Sequence, residues 1–517
     1  MASSSTRAMA GVAAAAVALG VTQLLAAFVG PEADSRTAVG SAVIDLTPGP
    51  VKEWAITTFG TADKLVLTVL VLAVIAIIAA ITGSMERRRV PIGSAAIILA
   101  GVAGSAAVLS RDGASLVDVV PTVIGTVCGV VVLRLLTSGR WTDEAVEPAA
   151  ETEAADLADP GRRMSLVTLG LLGAGALTGV LGVVLSRARS SVAGDRDAFT
   201  LPKVDVAAPP IPPTVQPKGV ALPSFITSND DFYRIDTALT VPQLSRADWA
   251  LRIHGMVDRE ITYRFEDLER FETIEKVVTL ACVSNPVGGD LISNATWTGY
   301  RVRDLLAEAG VHADADMALS MSSDGFTAGT PVEALTDDRD SVLAVGMNGQ
   351  PLPTDHGYPA RLVVPGLYGY VSATKWVVDI ELTRFDKAEA YWTKRGWSAR
   401  GPIKTESRVD VPRLGQVVQG STTFGGVAWA QNRGVKAVEV RIDGPDGKGT
   451  WQQAKLGAAY SNEAWRLWSF PWQASGSGSH TITVRATDNT GAVQTEQWAD
   501  PVPDGATGWH SVTFSVA

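Results

Sequence analysis

The sequence predicts a bundle of five transmembrane helices followed by two soluble domains, an α+β domain and a C-terminal all-β immunoglobulin-like sandwich. Three observations predict this architecture. Five apolar runs occupy the first 190 residues. Strand and helix patterns then mix without regular β-α alternation. The last part of the chain alternates in strand-length segments rich in tryptophan. The net charge of -10 gives no support to nucleic-acid binding.

Each apolar run approaches the ~20 residues that a helix needs to cross a bilayer, and many contain Gly and Ala, which let helices pack closely. Arginines follow the second run, as Arg87-Arg88-Arg89, and the fourth, at Arg140. Both connections are therefore expected in the cytoplasm, and the chain after the fifth run outside it, although Arg187 opposes this mildly. We predict a multi-pass protein of the cell membrane with runs at 8–29, 65–83, 91–109, 116–136 and 166–185.

Two interpretations of the Arg162-Arg163 pair stay open. The pair immediately precedes the fifth run and resembles a twin-arginine export signal, which moves folded proteins that often carry a cofactor. It also fits ordinary positive-inside arginines. The acidic, Ala-rich stretch at 142–160 is predicted to be a flexible cytoplasmic connector.

The chain divides into a membrane anchor, a Pro-rich linker, the α+β domain and the β domain. Prolines such as Pro209-Pro210 predict an extended spacer that lifts the soluble part off the membrane. Tryptophans in the last domain are expected to fill the core of the sandwich. The predicted boundaries are 1–190, 191–223, 224–403 and 404–517, and these tryptophans are Trp429, Trp465, Trp468 and Trp472.

Local patterns in the α+β domain predict three short helices, at 263–270, 302–310 and 331–335. The second is expected to end at a glycine C-cap. Asn348-Gly349 predicts a tight turn between strands.

Cys282 is the most informative single residue. It follows an aliphatic, β-branched run that predicts a buried strand, at the point where a Pro/Gly-rich loop begins. The other cysteine, Cys128, lies in an apolar run, so no disulfide between the two is expected. By itself, Cys282 fits either a buried apolar thiol or a thiolate that binds a metal. Outside the cytoplasm an unpaired thiol would be open to oxidation unless something occupied it.

From residue 224 onward the chain resembles the sulfite oxidase family of molybdenum enzymes. The resemblance covers most of residues 224–402 and implies a molybdenum-molybdopterin cofactor, two-electron oxo transfer and a dimerisation-type C-terminal domain. The segments that carry it, in order, are Phe232-Tyr-Arg-Ile-Asp-Thr, Thr279-Leu-Ala-Cys282-Val-Ser-Asn285, Trp297-Thr-Gly-Tyr-Arg-Val-Arg-Asp-Leu-Leu, Met347-Asn-Gly-Gln-Pro-Leu-Pro-Thr-Asp-His356-Gly-Tyr-Pro-Ala-Arg361 and Tyr368-Gly-Tyr-Val-Ser372-Ala-Thr374-Lys375-Trp376.

The same resemblance implies roles for individual residues. Cys282 is implied to be the protein thiolate on molybdenum, and Arg234 to orient an oxyanion or a polarised oxide. A soft thiolate suits a metal already held by dithiolene sulfurs, and cationic side chains suit a phosphate group. The residues implied to hold the pterin and its phosphate are Phe232, Tyr233, Arg234, Asp324, His356, Arg361, Ser372, Thr374 and Lys375.

Departures from the family pattern concern the substrate. Where sulfite oxidases have a tyrosine before Met-Asn-Gly this chain has Val345, and where they have arginine after the cysteine it has Asn285-Pro-Val287. Their Arg-Asn-His becomes Arg234-Ile-Asp236. A pocket with less positive charge binds the sulfite dianion less strongly. Two substrate classes therefore stay open: sulfite, and an S-oxide or N-oxide such as methionine sulfoxide.

Electron transfer is expected to need a separate redox partner. No C-x-x-C-H haem motif and no flavin or nicotinamide motif is present in the sequence, and all five histidines follow the apolar runs. The resemblance also implies a homodimer formed through the C-terminal domain. A remote alternative is a non-catalytic, surface-tethered binding module, although such a module has no need of a thiolate at Cys282.

Overall fold

The computed structural model describes residues 4–47, 51, 58, 63–87, 89–111, 114–138, 160–445, 447–474 and 476–517. The predicted acidic connector at 142–160 lies outside these residues except for its last position. The chain forms two compact units, Met1–Ser191 and Val192–Ala517.

The first unit is helical, and five of its helices are long and apolar enough to cross a membrane. The candidate spans are Ser4–Val29, Val66–Ser84, Ile92–Leu109, Leu116–Thr137 and Ser165–Ala198, of which the last ends with residues assigned to the second unit. They confirm the five predicted apolar helices. A further helix follows Asp34, whose carboxylate accepts hydrogen bonds from the amides of Arg36 and Thr37. The helices of this unit are α1 (Ser4–Val29), α2 (Ser35–Leu46), α3 (Asp63–Ser84), α4 (Ile92–Leu109), α5 (Val120–Thr137) and α6 (Pro160–Ser190).

Glycines allow α1 to lie very close to its neighbours. A Cβ atom on Gly11 would lie 2.1 Å from the carbonyl oxygen of Ala79 in α3, and one on Gly20 would lie 2.2 Å from that of Gly175 in α6. No side chain fits at either contact. The Gly-rich composition of the apolar runs therefore has a direct packing role.

The second unit contains the α+β domain and the C-terminal β domain. Its helices are α7 (Ala193–Ala198), α8 (Val302–Ala309), α9 (Val332–Thr336) and α10 (Gly369–Ser372). Its strands are β1 (Ala250–Gly255), β2 (Ile261–Arg264), β3 (Thr273–Ala281), β4 (Ile292–Arg301), β5 (Met317–Ser322), β6 (Thr327–Pro331), β7 (Val342–Met347), β8 (Gln350–Pro351), β9 (Arg361–Val363), β10 (Val377–Thr383), β11 (Glu406–Val411), β12 (Val417–Val418), β13 (Ser421–Trp429), β14 (Val435–Asp443), β15 (Gln452–Gln453), β16 (Lys455–Leu456), β17 (Arg466–Gln473), β18 (Gly478–Asp488) and β19 (His510–Val516).

Two sheets build the α+β domain, one with strand order β2-β1-β10-β5-β6 and one with order β3-β4-β7-β8, to which β9 adds through β7. The expected C-cap glycine is present, since Gly310 follows α8 with φ 71°. Asn348 and Gly349 both have positive φ, as a two-residue hairpin turn requires. The segment predicted to be helical at 263–270 instead ends β2 and continues as a 3-10 helix, Phe265–Arg270.

The C-terminal domain is β-rich, with sheets ordered β11-β13-β17-β16 and β12-β19-β18-β14-β15. Its immunoglobulin-like character stays a prediction. Trp468 lies in the core between these sheets, as predicted, whereas Trp429 and Trp465 belong to the core cluster shared with the α+β domain. Successive side chains of a strand point to opposite faces. Phe424 and Trp429 of β13 therefore pack into different cores.

The Pro-rich segment lies on the second unit. We call residues 192–223 the strap. Val206 forms a parallel bridge with Ile274, Val215 is buried in the core, and the hydroxyl of Tyr460 donates to the carbonyl oxygen of Pro209. After α7 the strap is mostly extended, as its prolines predicted, but it packs on the second unit and is not a free spacer.

Candidate functional site

Cys282 lies directly after β3, in the short loop that leads to β4. Its amide donates to the carbonyl oxygen of Leu291 (2.9 Å). The side-chain oxygen of Asn285 accepts from the amide of Leu291 (2.9 Å) and closes the loop. The residue is only 8% exposed, and this burial raises the pKa of the thiol despite hydrogen bonds from Ser284 that oppose the change. The sulfur is thus held in a buried site, where a metal would favour the thiolate.

Two buried phenols, Tyr233 and Tyr368, belong to this part of the domain, and Tyr233 lies close to the thiol. A Cβ atom on Gly369 would lie 3.6 Å from the hydroxyl of Tyr233 and 3.7 Å from the carbonyl oxygen of Ala281, next to Cys282. Burial and the charge of Cys282 raise the pKa of Tyr233. Burial is also the main reason why the pKa of Tyr368 is raised, and Cys282 contributes. Both phenols therefore stay protonated, and Tyr233 can donate a hydrogen bond to an oxygen held near the sulfur.

Arg361 is a buried cation without an acidic partner among the described residues. Its guanidinium donates to the carbonyl oxygens of Leu362 (3.4 Å), His356 (3.1 Å) and Ala373 (3.3 Å). It also lies over the ring of Trp297, 5.0 Å from the centroid. Burial lowers the pKa of Arg361 to about 10. A buried charge that is balanced only by carbonyl dipoles is poised to bind an anion.

Lys375 and Arg234 share the carboxylate of Asp236. Lys375 donates to Asp236 (2.9 Å) and to the carbonyl oxygen of Asp355 (3.2 Å). Burial lowers the pKa of Lys375 to about 8, against the opposing effect of Asp236. Arg234 is 41% exposed and pairs with Asp236 (3.0 Å) and Asp355 (3.6 Å). The Arg234 side chain therefore lies partly exposed at the protein surface, while the Lys375 side chain is buried.

His356 is neutral in this setting. Its Nε2 lies 3.3 Å from the carbonyl oxygen of Asn229, and its ring packs edge-on against Phe232. Burial, and then the charge of Arg361, lower the pKa of His356 to about 4. Phe232 also packs against Trp297 and Tyr233. A row of aromatic rings thus connects Arg361, over Trp297, to Tyr233.

The other three predicted site residues use their side chains locally. The hydroxyl of Ser372 donates to the carbonyl oxygens of Leu367 and Tyr368, and that of Thr374 bonds to Ser320 (2.7 Å). Asp324 lies in the turn between β5 and β6, where its carboxylate accepts from the amide of Phe326 (3.3 Å). The adjacent Ser323 amide donates to the carbonyl oxygen of Trp376. This contact brings the turn beside Lys375.

Sequence reasoning assigned no role to Tyr368 or to Glu406 and Arg408 of the C-terminal domain. Tyr368 stands in one of the resembling segments, which could have indicated it. We call the loop between β3 and β4, which contains Cys282, the cysteine loop. Arg408 donates to the carbonyl oxygen of Gly289 in this loop (2.7 Å). No local sequence pattern predicts a contact between two domains.

Comparisons with known proteins agree with this geometry. The family model described as an oxidoreductase molybdopterin binding domain matches residues 238–392. An uncharacterised oxidoreductase of Bacillus subtilis, YuiH, is 33% identical over 153 residues, which cover 30% of this chain and 74% of YuiH. The chain belongs to the sulfite oxidase family of molybdopterin-dependent oxidoreductases.

Human mitochondrial sulfite oxidase is 29% identical over 326 residues, or 54% of this chain. The match covers 59% of that enzyme, so the chain spans about three fifths of its length. The sulfane dehydrogenase SoxCD of Paracoccus pantotrophus aligns in structure with a TM-score of 0.47 and 25% identity, over 56% of this chain and 81% of that one.

The residues present fit the family's cofactor. Within the described part of the chain, no cluster of three or more His, Cys, Asp or Glu side chains suited to a metal ion is found. A metal at Cys282 would therefore need most of its ligands from elsewhere, as a pterin dithiolene provides. The uncompensated charge of Arg361 and the buried ammonium of Lys375 suit the phosphate of such a group.

Proposed function

We propose that this protein is a membrane-anchored molybdenum-molybdopterin oxidoreductase that carries out two-electron oxo transfer on a small substrate at Cys282. One observation carries the proposal: a buried, rigidly held thiol occurs in the same domain as a buried guanidinium that has no acidic partner among the described residues. A thiol suits the metal, and a cation that lacks an anion suits the phosphate. A non-catalytic binding module needs neither.

Each residue has a role in this scheme. When bound, the cofactor supplies a two-electron redox centre and an exchangeable oxo group. Cys282 would occupy one metal position, while Arg361 and Lys375 would hold the phosphate. Tyr233 would donate a hydrogen bond to a substrate oxygen. The other residues proposed to line the cofactor are Phe232, Arg234, Asp324, His356, Ser372 and Thr374.

Sulfite is the first candidate substrate, because the matched relatives include sulfite oxidases. Reduction of an S-oxide or N-oxide is the second candidate, and the loop after the cysteine supports it. Asn285, Pro286 and Val287 add no cation there. A Cβ atom on Gly508 would lie 3.6 Å from a methyl group of Val287, so this side chain also faces the C-terminal domain. A loop that brings no positive charge leaves none unbalanced beside a neutral oxide.

The five apolar helices support an anchor in the membrane. We place the catalytic unit outside the cytoplasm, with Arg162-Arg163 acting as a twin-arginine export signal, a separate protein as electron-transfer partner, and a homodimer formed through an immunoglobulin-like C-terminal domain. Protease treatment of intact cells tests the location. We expect a C-terminal tag to be digested without lysis, and protection of the tag would contradict the proposed side of the membrane.

Metal analysis and a substrate panel test the activity on the full-length protein in detergent. We expect about one molybdenum atom per chain, and turnover of sulfite or of an S- or N-oxide with an artificial electron carrier. Cys282→Ser should abolish turnover, whereas the matched Cys128→Ser, in apolar helix α5, should leave it unchanged. Exported, folded protein without molybdenum would refute the proposal.

A further inference from the structure

Several buried polar atoms lack hydrogen-bond partners where the cysteine loop meets the C-terminal domain. Within the described residues, the donor Asn285 Nδ2 and the acceptors Glu406 Oε1 and Gln431 Oε1 are such atoms, and so is the donor Nε1 of Trp429. Leaving a buried polar atom unpaired is unfavourable, and ordered water normally satisfies such groups. A mixture of donors and acceptors is what a water molecule needs, since it must both donate and accept.

These atoms come from neighbouring elements. Glu406 and Trp429 lie opposite each other across β11 and β13, and Gln431 donates through Nε2 to the carbonyl oxygen of Thr279 in β3 (3.0 Å). Arg408 lies on the same face of β11 as Glu406, roughly 7 Å along the strand. We call the surface that these side chains form the interdomain seam; its members are Asn285, Glu406, Arg408, Trp429 and Gln431.

The seam meets the cysteine loop at Gly289. Arg408 donates to the carbonyl oxygen of this glycine (2.7 Å), and a Cβ atom on it would lie 2.4 Å from the side-chain oxygen of Asn285. Asn285 is three residues from Cys282 in sequence and is 4% exposed. The seam therefore begins beside the site at Cys282.

Glu406 links the end of the seam beside Cys282 to the protein surface. A Cβ atom on Gly505 would lie 2.7 Å from the hydroxyl of Tyr368, and Lys404 donates to the carbonyl oxygen of the same glycine (2.6 Å). Burial, and then the charge of Glu406, raise the pKa of Tyr368. Burial raises the pKa of Glu406 to about 8 against the opposing charge of Lys404, so the carboxyl is protonated at neutral pH. Lys404 in turn donates to Asp504 (2.9 Å), whose side chain is 52% exposed. Lys404 is the charged group that acts on the pKa of Glu406, and its bond to Asp504 links Glu406 to the surface.

We propose that the interdomain seam carries water and protons between the Cys282 site and the surface, with Glu406 as its protonatable member. This inference rests on the proposed function. Oxidation of a substrate by oxo transfer takes one oxygen from water, releases two protons and passes two electrons to the redox partner. Reduction of an oxide takes up two protons and two electrons and releases one water. Because Cys282 is buried, water and protons must cross the protein in either direction.

A paired set of glutamine variants of the full-length protein tests the inference. Glu406→Gln keeps the shape of the side chain but removes the proton, and Glu439→Gln, which breaks a pair with Arg485 in the C-terminal domain, is the matched control. Infrared spectra should contain the carbonyl stretch of a protonated carboxyl at pH 7, and this band should fade as the pH rises past about 8. The control should keep the band, and Glu406→Gln should lack it. A high-resolution crystal structure should contain ordered waters on Asn285 and Gln431.

Turnover supplies the second measurement. We expect Glu406→Gln to bind molybdenum normally, to lower kcat about 10-fold or more with little change in KM, and to alter the solvent isotope effect. The inference would be overturned if Glu406→Gln had the kcat and pH profile of the wild type. It would also be overturned if the crystal structure contained no ordered water in the seam. The infrared titration needs no turnover, and the ordered waters need neither turnover nor a variant. The waters therefore test the seam even if the proposed function fails or Glu406→Gln does not fold.

Discussion

Replacing Arg361 should separate cofactor binding from folding. The guanidinium has five N–H donors, of which three are used on the carbonyl oxygens of Leu362, His356 and Ala373. Two donors then remain for an anion, which is the number that a bidentate phosphate contact uses. Charge-assisted hydrogen bonds contribute about 1.5–3 kcal/mol each, so Arg361→Met should weaken cofactor binding by about 3–6 kcal/mol. This corresponds to a roughly 10²- to 10⁴-fold loss of affinity.

The assay is the molybdenum content after extended dialysis of wild type, Arg361→Met and Arg361→Lys. The methionine variant should lose nearly all its molybdenum. The lysine variant should retain an intermediate amount, because it keeps the charge but not the planar fork. Circular dichroism checks that each variant is folded. Wild-type retention of molybdenum in a folded Arg361→Met protein would refute the assignment of Arg361 to the phosphate.

Two further predictions concern stability. The pKa of His356 is lowered from 6.5 to about 4 in the folded state. Between these pH values the unfolded state binds more protons than the folded state does. The cofactor-free protein should therefore lose stability as the pH falls from 6.5 to about 4. Urea unfolding at several pH values should detect this loss, and His356→Asn should reduce it; equal slopes would contradict the burial of a neutral imidazole. Val215 of the strap is buried in the core, so Val215→Ala should lower the free energy of unfolding by roughly 2 kcal/mol. Val206 is 41% exposed, so the control Val206→Ala should change the free energy of unfolding by less than about 0.5 kcal/mol. Equal effects of the two substitutions would mean that the strap is not docked.

The features that sequence predicted well are local ones. The apolar helices follow from hydropathy over about 20 residues, and Cys282 follows from the end of a single aliphatic strand. The C-cap at Gly310 and the turn at Asn348 likewise depend on a few adjacent residues. The proposed roles of Arg361 and Lys375 come from the resemblance to a family, because no local pattern supplies them, and they stay predictions.

The features that sequence missed depend on which surfaces meet. Alternation along β13 predicts that Trp429 is buried, but not that it faces the α+β domain. Proline content predicts that the strap is extended, but its docking depends on the fit of Val215 and on a bridge to Ile274. Arg408 and Gly289 are 119 positions apart. Contacts at such separations follow from the packed structure of both domains.

X-ray absorption at the molybdenum edge tests the central claim most directly. In wild-type protein we expect about one molybdenum atom per chain, with a sulfur ligand beyond those of the pterin. Cys282→Ser should lose one sulfur from this coordination shell, while Cys128→Ser should give the wild-type spectrum. The same number of sulfur ligands in Cys282→Ser, or folded wild-type protein without molybdenum, would contradict the account.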